Sequence, residues 1–419
     1  MEIVDSTQSG HLGLEYSKQQ QLTFWSTTAG FFLENIDVMF VSLTLSSMIA
    51  AFHISNFAGG LVATIYTFGS LLGGLVFGMV ADRIGRAKVF VWTLFIVAFA
   101  TVGMFFANNI ETVYLFRFIV GIGIGAEYGT GVALVAESFS GKEMGRLMAL
   151  IQVGCEAGSA TAALIAAVII PVLGWHAVFL FGLLPVVFAF LIRIHLRDSS
   201  SFAEQKQRRA ERKESASERL PIIAVFKTPQ LALQTVGLSL MMMVQAGGYY
   251  GLMNWLPKIL QKKLGISTSS SLLWMIATLF GISVGMYVFG ILFDKLGARK
   301  SFGIYLLVGA ASVYALLFAR DGLTLLLTLV FVGFFTSGTY GGFGVVTSRL
   351  YGTEARATAN SVVSSVGKVL GGFFPTIIGL MMDKTSLSVV MMFFSGIYLF
   401  SFVVMLLMPA FKNQKLQTK

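Results

Sequence analysis

The chain has 419 residues, 56% of them hydrophobic and only 12% charged, with a mean hydropathy of +0.79 and a formal net charge of +10. Soluble domains carry about 25% charged residues, so a chain this apolar has no aqueous way to hide its side chains and its solvent is lipid. The positive charge is therefore not read as nucleic-acid binding, and the single cysteine, Cys155, excludes an intramolecular disulfide.

Residues 1–21 are polar, with Glu2, Asp5, Glu15 and Lys18. They lack the positive start and short apolar run of a cleavable leader and are expected to form a cytoplasmic tail. A bilayer-crossing helix needs about 20 apolar residues. Twelve stretches meet that requirement, at 22–50, 58–81, 88–107, 113–137, 146–171, 176–195, 230–257, 270–293, 301–318, 322–348, 357–382 and 387–409. The expected fold is an all-α membrane protein, with six helices over 22–197 and six over 230–410. Between them, 198–229 is a charged cytoplasmic linker of helical or flexible character, and 411–419 forms a second cytoplasmic tail. Lys258, Lys262, Lys263, Arg320 and Lys384 fall outside, Arg117 and Lys368 fall within apolar stretches, and the remaining Lys and Arg fall inside. This bias places both termini in the cytoplasm of a multi-pass protein of the cell membrane.

The loop after the second stretch reads G-M-V-A-D-R-I-G-R-A-K from Gly78 to Lys88, and G-I-L-F-D-K-L-G-A-R-K returns from Gly290 to Lys300. Asp82 maps onto Asp294 and Gly85 onto Gly297. The spacing is close to half the chain, so the protein consists of two similar halves. Glycines recur within the helices, at Gly69, Gly73, Gly74 and Gly78 and at Gly121, Gly123 and Gly125. Small residues at such intervals let helix backbones pack closely in lipid.

Six ionisable residues lie deep in apolar stretches: Glu34, Asp37, Arg117, Glu127, Glu156 and Lys368. Each costs about 2.5–3.5 kcal/mol at a helix centre on insertion scales, so they are expected to face one another or a water-filled cavity. Glu34 and Asp37, three apart, share one face of the first helix. Carboxylates this close tend to hold a proton between them, which makes the pair a candidate for proton coupling. The alternative is that one of them is the ion-pair partner of Arg117 or Lys368. The Arg117 fork suits a carboxylate, of a substrate or of a neighbouring acid. Glu127, ten residues on and about 15 Å along the helix, does not pair with Arg117 directly and is a coupling or gating candidate. Lys368, in a position matching Glu156, is a candidate for binding a substrate carboxylate, with a structural pair to Glu156 as the alternative. Gln245, Tyr249, Tyr250 and Asn254, with Thr336, Ser337, Thr339 and Tyr340, add polar groups to the expected cavity wall.

The two D-R/K-x-G-x-R/K loops, together with R-F-I-V-G-I-G-I-G-A-E-Y-G from Arg117 to Gly129, resemble the signatures of the major facilitator superfamily. L-E-N-I-D at Leu33–Asp37, G-A-E-Y-G followed by L-V-A-E-S, and Y-Y-G-L-M-N-W-L-P from Tyr249 to Pro257 resemble its bacterial metabolite:proton symporters of the sialic acid and aromatic acid groups. Asn35-Ile36 stands where those groups have Gly-Phe, Glu34 where they have Asp, and Lys368 where they often have Arg. The resemblance implies two pseudo-symmetric six-helix bundles around a central cavity, working by alternating access. It implies that Arg117 tunes an acid of the first or fourth helix, and that Asp82, Arg83, Gly85, Arg86, Asp294, Lys295, Gly297 and Arg299 latch an inner gate. The expected function is proton-coupled uptake of a small organic anion by a monomer, in contact with membrane lipid. A neutral-solute transporter or a drug exporter of the same fold is the alternative. No P-loop, G-x-S-x-G or Cys/His metal spacing is present, and the four histidines are scattered near helix ends. The sequence therefore points to no enzyme, cofactor or metal.

Overall fold

A computed structural model describes residues 16–139, 144–184, 187–188, 226–265, 267–351 and 353–411; some side chains within the helices, including those of Asp82, Arg83 and Arg86, lie outside that description. The expected tails and most of the expected linker also lie outside the described residues. Among the described residues the structure is helical, without strands. The first five apolar stretches form α1 (Lys18–Phe52), α2 (Asn56–Ile84), α3 (Arg86–Gly103), α4 (Ile110–Ser138) and α5 (Met144–Leu173), and the sixth opens with a 3-10 helix at Trp175–Gly182. The later helices are α6 (Pro229–Leu264), α7 (Thr268–Leu296), α8 (Ala298–Ser312), α9 (Ala315–Phe318), α10 (Gly322–Ser337), α11 (Tyr340–Leu350), α12 (Thr353–Gly371), α13 (Phe374–Lys384) and α14 (Leu387–Leu407). Nine segments of the described residues are long and apolar enough to cross a membrane, and one of them, Ser270–Phe318, covers both the eighth and ninth apolar stretches.

The repeat in the sequence is a repeat in the backbone. Gly85 joins α2 to α3 at φ 114°, and Gly297 joins α7 to α8 at φ 80°. A single residue turns the chain in each case, and only glycine enters that region without steric cost. The correspondence extends into the helices. A Cβ at Gly69 or Gly73 of α2 would overlap the carbonyl of Phe118 or Ile122 in α4, and one at Gly281 or Gly285 of α7 would overlap the carbonyl of Val330 or Phe334 in α10. Backbones meet there because the glycines of α2 and α7 place no side chain between them and the facing carbonyls.

The described residues divide into two compact units. The first draws on Met1–Met39, Phe68–Ala162 and His176–Lys213, and the second on Phe40–Thr67, Ala163–Trp175 and Glu214–Lys419. The division runs through α1, α2 and α5. In the first unit Phe24 and Phe31 of α1, Val135 of α4, and Leu147 and Ile151 of α5 share one core cluster. In the second, Phe289 of α7 packs edge-on against Phe302 and Tyr305 of α8.

Three of the later apolar stretches are broken rather than continuous: the ninth turns at Val313–Tyr314, between α8 and α9. The tenth turns at Gly338–Thr339, between α10 and α11, and the eleventh turns at Gly372–Phe373, between α12 and α13. A broken helix leaves carbonyls that lipid cannot satisfy. The Gly372 carbonyl instead accepts from the Thr64 hydroxyl of α2 at 2.7 Å, and the same hydroxyl lies 2.7 Å from that of Thr376.

Candidate functional site

The first unit holds the acids of α1 and the charges of α4. Asp37 is 3% exposed and Arg117 is 1% exposed. Arg117 donates from Nη1 to Asp37 Oδ2 and from Nη2 to Oδ1, both at 3.0 Å. Thr101 of α3 donates to Oδ1 at 2.6 Å, and the guanidinium carbon lies 5.6 Å from the centre of the Phe179 ring. The two-pronged geometry matches guanidinium to carboxylate and is the strong form of such a pair. Removing two charges from water costs several kcal/mol per ion, which this geometry and the added hydroxyl offset. The ion-pair partner weighed for an acid of α1 is thus Arg117, and its acid is Asp37.

Glu127, also buried at 1% exposed, sits farther along α4. Its Oε1 lies 2.8 Å from where a Cβ on Gly30 of α1 would stand. Glu34, one turn beyond Gly30 on the same face of α1, acts on Glu127 electrostatically. The two acids of α1 thus have different surroundings: Asp37 is paired with Arg117, and Glu34 lies one turn beyond the Gly30 position that faces Glu127. Glu156 of α5 accepts from Gln152 Nε2 of its own helix at 3.1 Å.

The second unit holds the polar residues expected to bind substrate. The Thr339 hydroxyl, in the break between α10 and α11, donates to Oε1 of Gln245 on α6. Asn254 Nδ2 donates to the Tyr250 carbonyl at 2.7 Å, closing onto its own helix. The rings of Tyr249 and Tyr250 meet edge-on at 5.8 Å, and both residues are half-buried, as is Tyr340 at the start of α11. Lys368 is half-buried in the last turn of α12, and its carbonyl accepts from the Gly372 amide at 2.8 Å where that helix ends. Among the latch residues, Asp294 and Lys295 are exposed at the end of α7, and Arg299 is half-buried at the start of α8. The latch expectation for Asp82, Arg83 and Arg86 rests on side chains outside the described set.

Sequence reasoning missed Thr101, Phe179, Thr64 and Gly372. A threonine or phenylalanine in an apolar stretch carries no signal of its own. A glycine pair such as Gly371-Gly372 ahead of Pro375 is a usable sign of a helix break.

The Major Facilitator Superfamily model matches residues 27–288 and 238–418. A Haemophilus influenzae protein named for metabolite transport is 31% identical over 392 residues, covering 93% of this chain and 96% of the relative. The niacin transporter NiaP of Acinetobacter baylyi is 26% identical, covering 88% and 89%, and the sialic acid transporter NanX of Escherichia coli is 25% identical, covering 85% and 86%. The inward-open structure of the xylose transporter XylE from E. coli superposes with a TM-score of 0.73 at 18% identity, over 92% of this chain and 95% of that one. This last likeness is one of fold.

Proposed function

The chain belongs to the Major Facilitator Superfamily and is a multi-pass membrane transporter, and on that premise we propose that it takes up a small organic anion together with protons. The observation that carries this reading is the buried Asp37–Arg117 pair with Glu127 and Glu34 beside it on the same two helices. Charge held in a lipid-spanning bundle marks an ion or substrate pathway. In this reading Asp37, Glu34, Glu127 and Arg117 handle the proton. Lys368, with Gln245, Asn254 and the tyrosines Tyr249, Tyr250 and Tyr340, binds the anion. The loops around Gly85 and Gly297 gate the inner side, where both termini lie. Relatives named for niacin and sialic acid transport support an anionic cargo. One proton with one monoanion moves no net charge, so the pH gradient alone drives accumulation, at about 1.4 kcal/mol per unit.

One observation also accommodates a neutral cargo. Gln245 Nε2 is buried and has no hydrogen-bond partner among the described residues, and an amide donor serves a sugar hydroxyl as well as a carboxylate. Uptake by membrane vesicles under an imposed pH gradient separates the two. The panel is labelled niacin, 4-hydroxybenzoate, cis,cis-muconate, sialic acid and xylose. Accumulation of a carboxylate that a protonophore abolishes is the expected result; accumulation of xylose alone would establish the neutral reading. In Lys368→Glu, carboxylate affinity is expected to fall at least tenfold, and unchanged affinity removes Lys368 from the site.

A further inference from the structure

Gly30 of α1 has no role in the reading above. It lies in the middle of a helix, has an ordinary backbone conformation, and faces two buried side chains. A Cβ on Gly30 would stand 2.8 Å from Glu127 Oε1 and 2.8 Å from Phe90 Cζ. Real Cβ atoms essentially never come that close to a neighbour, so one of the three groups would have to move. Phe90 of α3 is fully buried in a cluster with Ala87, Val91, Leu94 and Leu134, and cannot yield without opening a cavity. Glu127 is equally enclosed, but its carboxyl can swing about its side-chain torsions. The missing side chain therefore makes a notch in α1, and the Glu127 carboxyl fills it.

The notch also determines what the carboxyl faces. Glu34 follows Gly30 by one turn, on the same face of α1. Beside Glu127 stand the Gly30 position of α1, with Glu34 one turn on, and the apolar Phe90 of α3. On α4 itself, Arg117 lies about 15 Å away along the axis and is engaged by Asp37. A carboxyl pushed out of the notch changes its distance to Glu34, and the interaction between two acids in a low-dielectric setting depends steeply on distance.

We propose that Gly30 is a positioning residue: its absent side chain seats the Glu127 carboxyl against α1 beside Glu34, and so sets the pH at which this acid pair exchanges its proton. The proposal rests on the proton-coupled reading, and its test is chosen to be independent of cargo. The full chain is reconstituted in liposomes and titrated by infrared difference spectroscopy. The carboxyl band lost in Glu127→Gln identifies Glu127. In Gly30→Ala the midpoint of that band is expected to move by about half a pH unit or more. The double variant Gly30→Ala/Glu127→Asp moves one carbon's volume from residue 127 to residue 30, and it is expected to bring the midpoint back toward wild type. Gly30→Ala/Phe90→Leu frees space only on the α3 side and is expected to leave the shift in place.

An unmoved midpoint in Gly30→Ala overturns the proposal. So does recovery in the Phe90→Leu double variant without recovery in the Glu127→Asp one, which would make Gly30 a helix-packing residue. Should Gly30→Ala not fold, Glu127→Asp alone draws the carboxyl back from an intact notch. Its midpoint is expected to shift, and an unchanged midpoint is again decisive against the proposal. Vesicles that show the Gly30 effect on the band but no pH-driven uptake of any panel compound overturn the proton-coupled reading and leave the positioning role standing.

Discussion

Asp37 and Arg117 lie 80 residues apart in sequence and meet through two parallel hydrogen bonds of 3.0 Å, with Thr101 completing the carboxylate's shell. The pair ties α1 to α4 at a depth where neither charge reaches water. Neutralising one partner leaves the other buried and uncompensated, which costs about 3–5 kcal/mol. Asp37→Asn is therefore expected to lower the melting temperature in detergent, and Asp37→Asn/Arg117→Gln to recover part of the loss. In vesicles, Asp37→Asn is expected to abolish uphill accumulation while leaving substrate exchange measurable. Full uphill accumulation by this variant would take Asp37 out of the mechanism.

The glycine contacts between α2 and α4 and between α7 and α10 make a matched pair of predictions. Gly73→Ala drives a methyl group into the Ile122 carbonyl, and Gly285→Ala drives one into the Phe334 carbonyl. Forced overpacking of this kind costs about 1–3 kcal/mol. Both variants are expected to lose thermal stability to a similar degree, whereas Gly290→Ala, with nothing within 4 Å of the added Cβ, is expected to melt like wild type.

Asp383, at the end of α13, accepts from the backbone amides of Asn56 at 3.2 Å and Phe57 at 3.0 Å, which open α2. The same carboxylate takes the Asn56 side-chain amide at 2.6 Å, and Lys258 of α6 donates to the Asn56 side-chain Oδ1. A residue 327 positions away thus caps the α2 N-terminus, where the helix dipole favours negative charge. Asp383→Ala is expected to cost about 1 kcal/mol, the usual worth of a cap, and Asp383→Asn less. Thermal melts of the two variants check this order; equal losses would mean that the charge is irrelevant to the cap.

The N-terminus of α10 supplies a pH dependence. Asp321 accepts from the Thr324 amide at 2.9 Å, and the Thr324 hydroxyl accepts in return from the Asp321 amide at 3.2 Å, a reciprocal cap. The bond from the Thr324 amide holds the Asp321 carboxyl below its ordinary value. A depressed native value stabilises the fold above the unfolded value, and that stabilisation is lost as pH falls through the native one. The stability gap between wild type and Asp321→Ala is therefore expected to be constant above about pH 5 and to close as pH falls below about 4. A gap that widens on acidification contradicts this assignment.

Several features were legible from residue order. Apolar length marked the membrane-crossing helices, because lipid leaves the backbone no partner but its own helix. The repeat of Asp82 and Gly85 at Asp294 and Gly297 marked two similar halves, and the structure gives both glycines a positive φ at a one-residue junction. These are local properties: hydropathy, period and steric freedom need no knowledge of distant neighbours.

Charge partnership was not legible in this way. Two acids three residues apart on α1 look equivalent in sequence, yet Asp37 is the one bound to Arg117, while Glu34 lies one turn beyond the Gly30 position that faces Glu127. Which acid meets which group depends on how α1 and α4 are rotated and slid against each other. That register is set by contacts such as the notch at Gly30 and the core of Phe24, Phe31 and Val135. The breaks at Gly338–Thr339 and Gly372–Phe373 were hidden within apolar stretches for a similar reason. A break in lipid is tolerated only where another helix supplies the missing hydrogen bond, as Thr64 does for Gly372 from 308 residues away. The sequence by itself determined that this chain crosses the membrane as two repeated sets of helices with charge inside. Only the tertiary structure decided which charges meet, because that depends on side chains brought together across the fold.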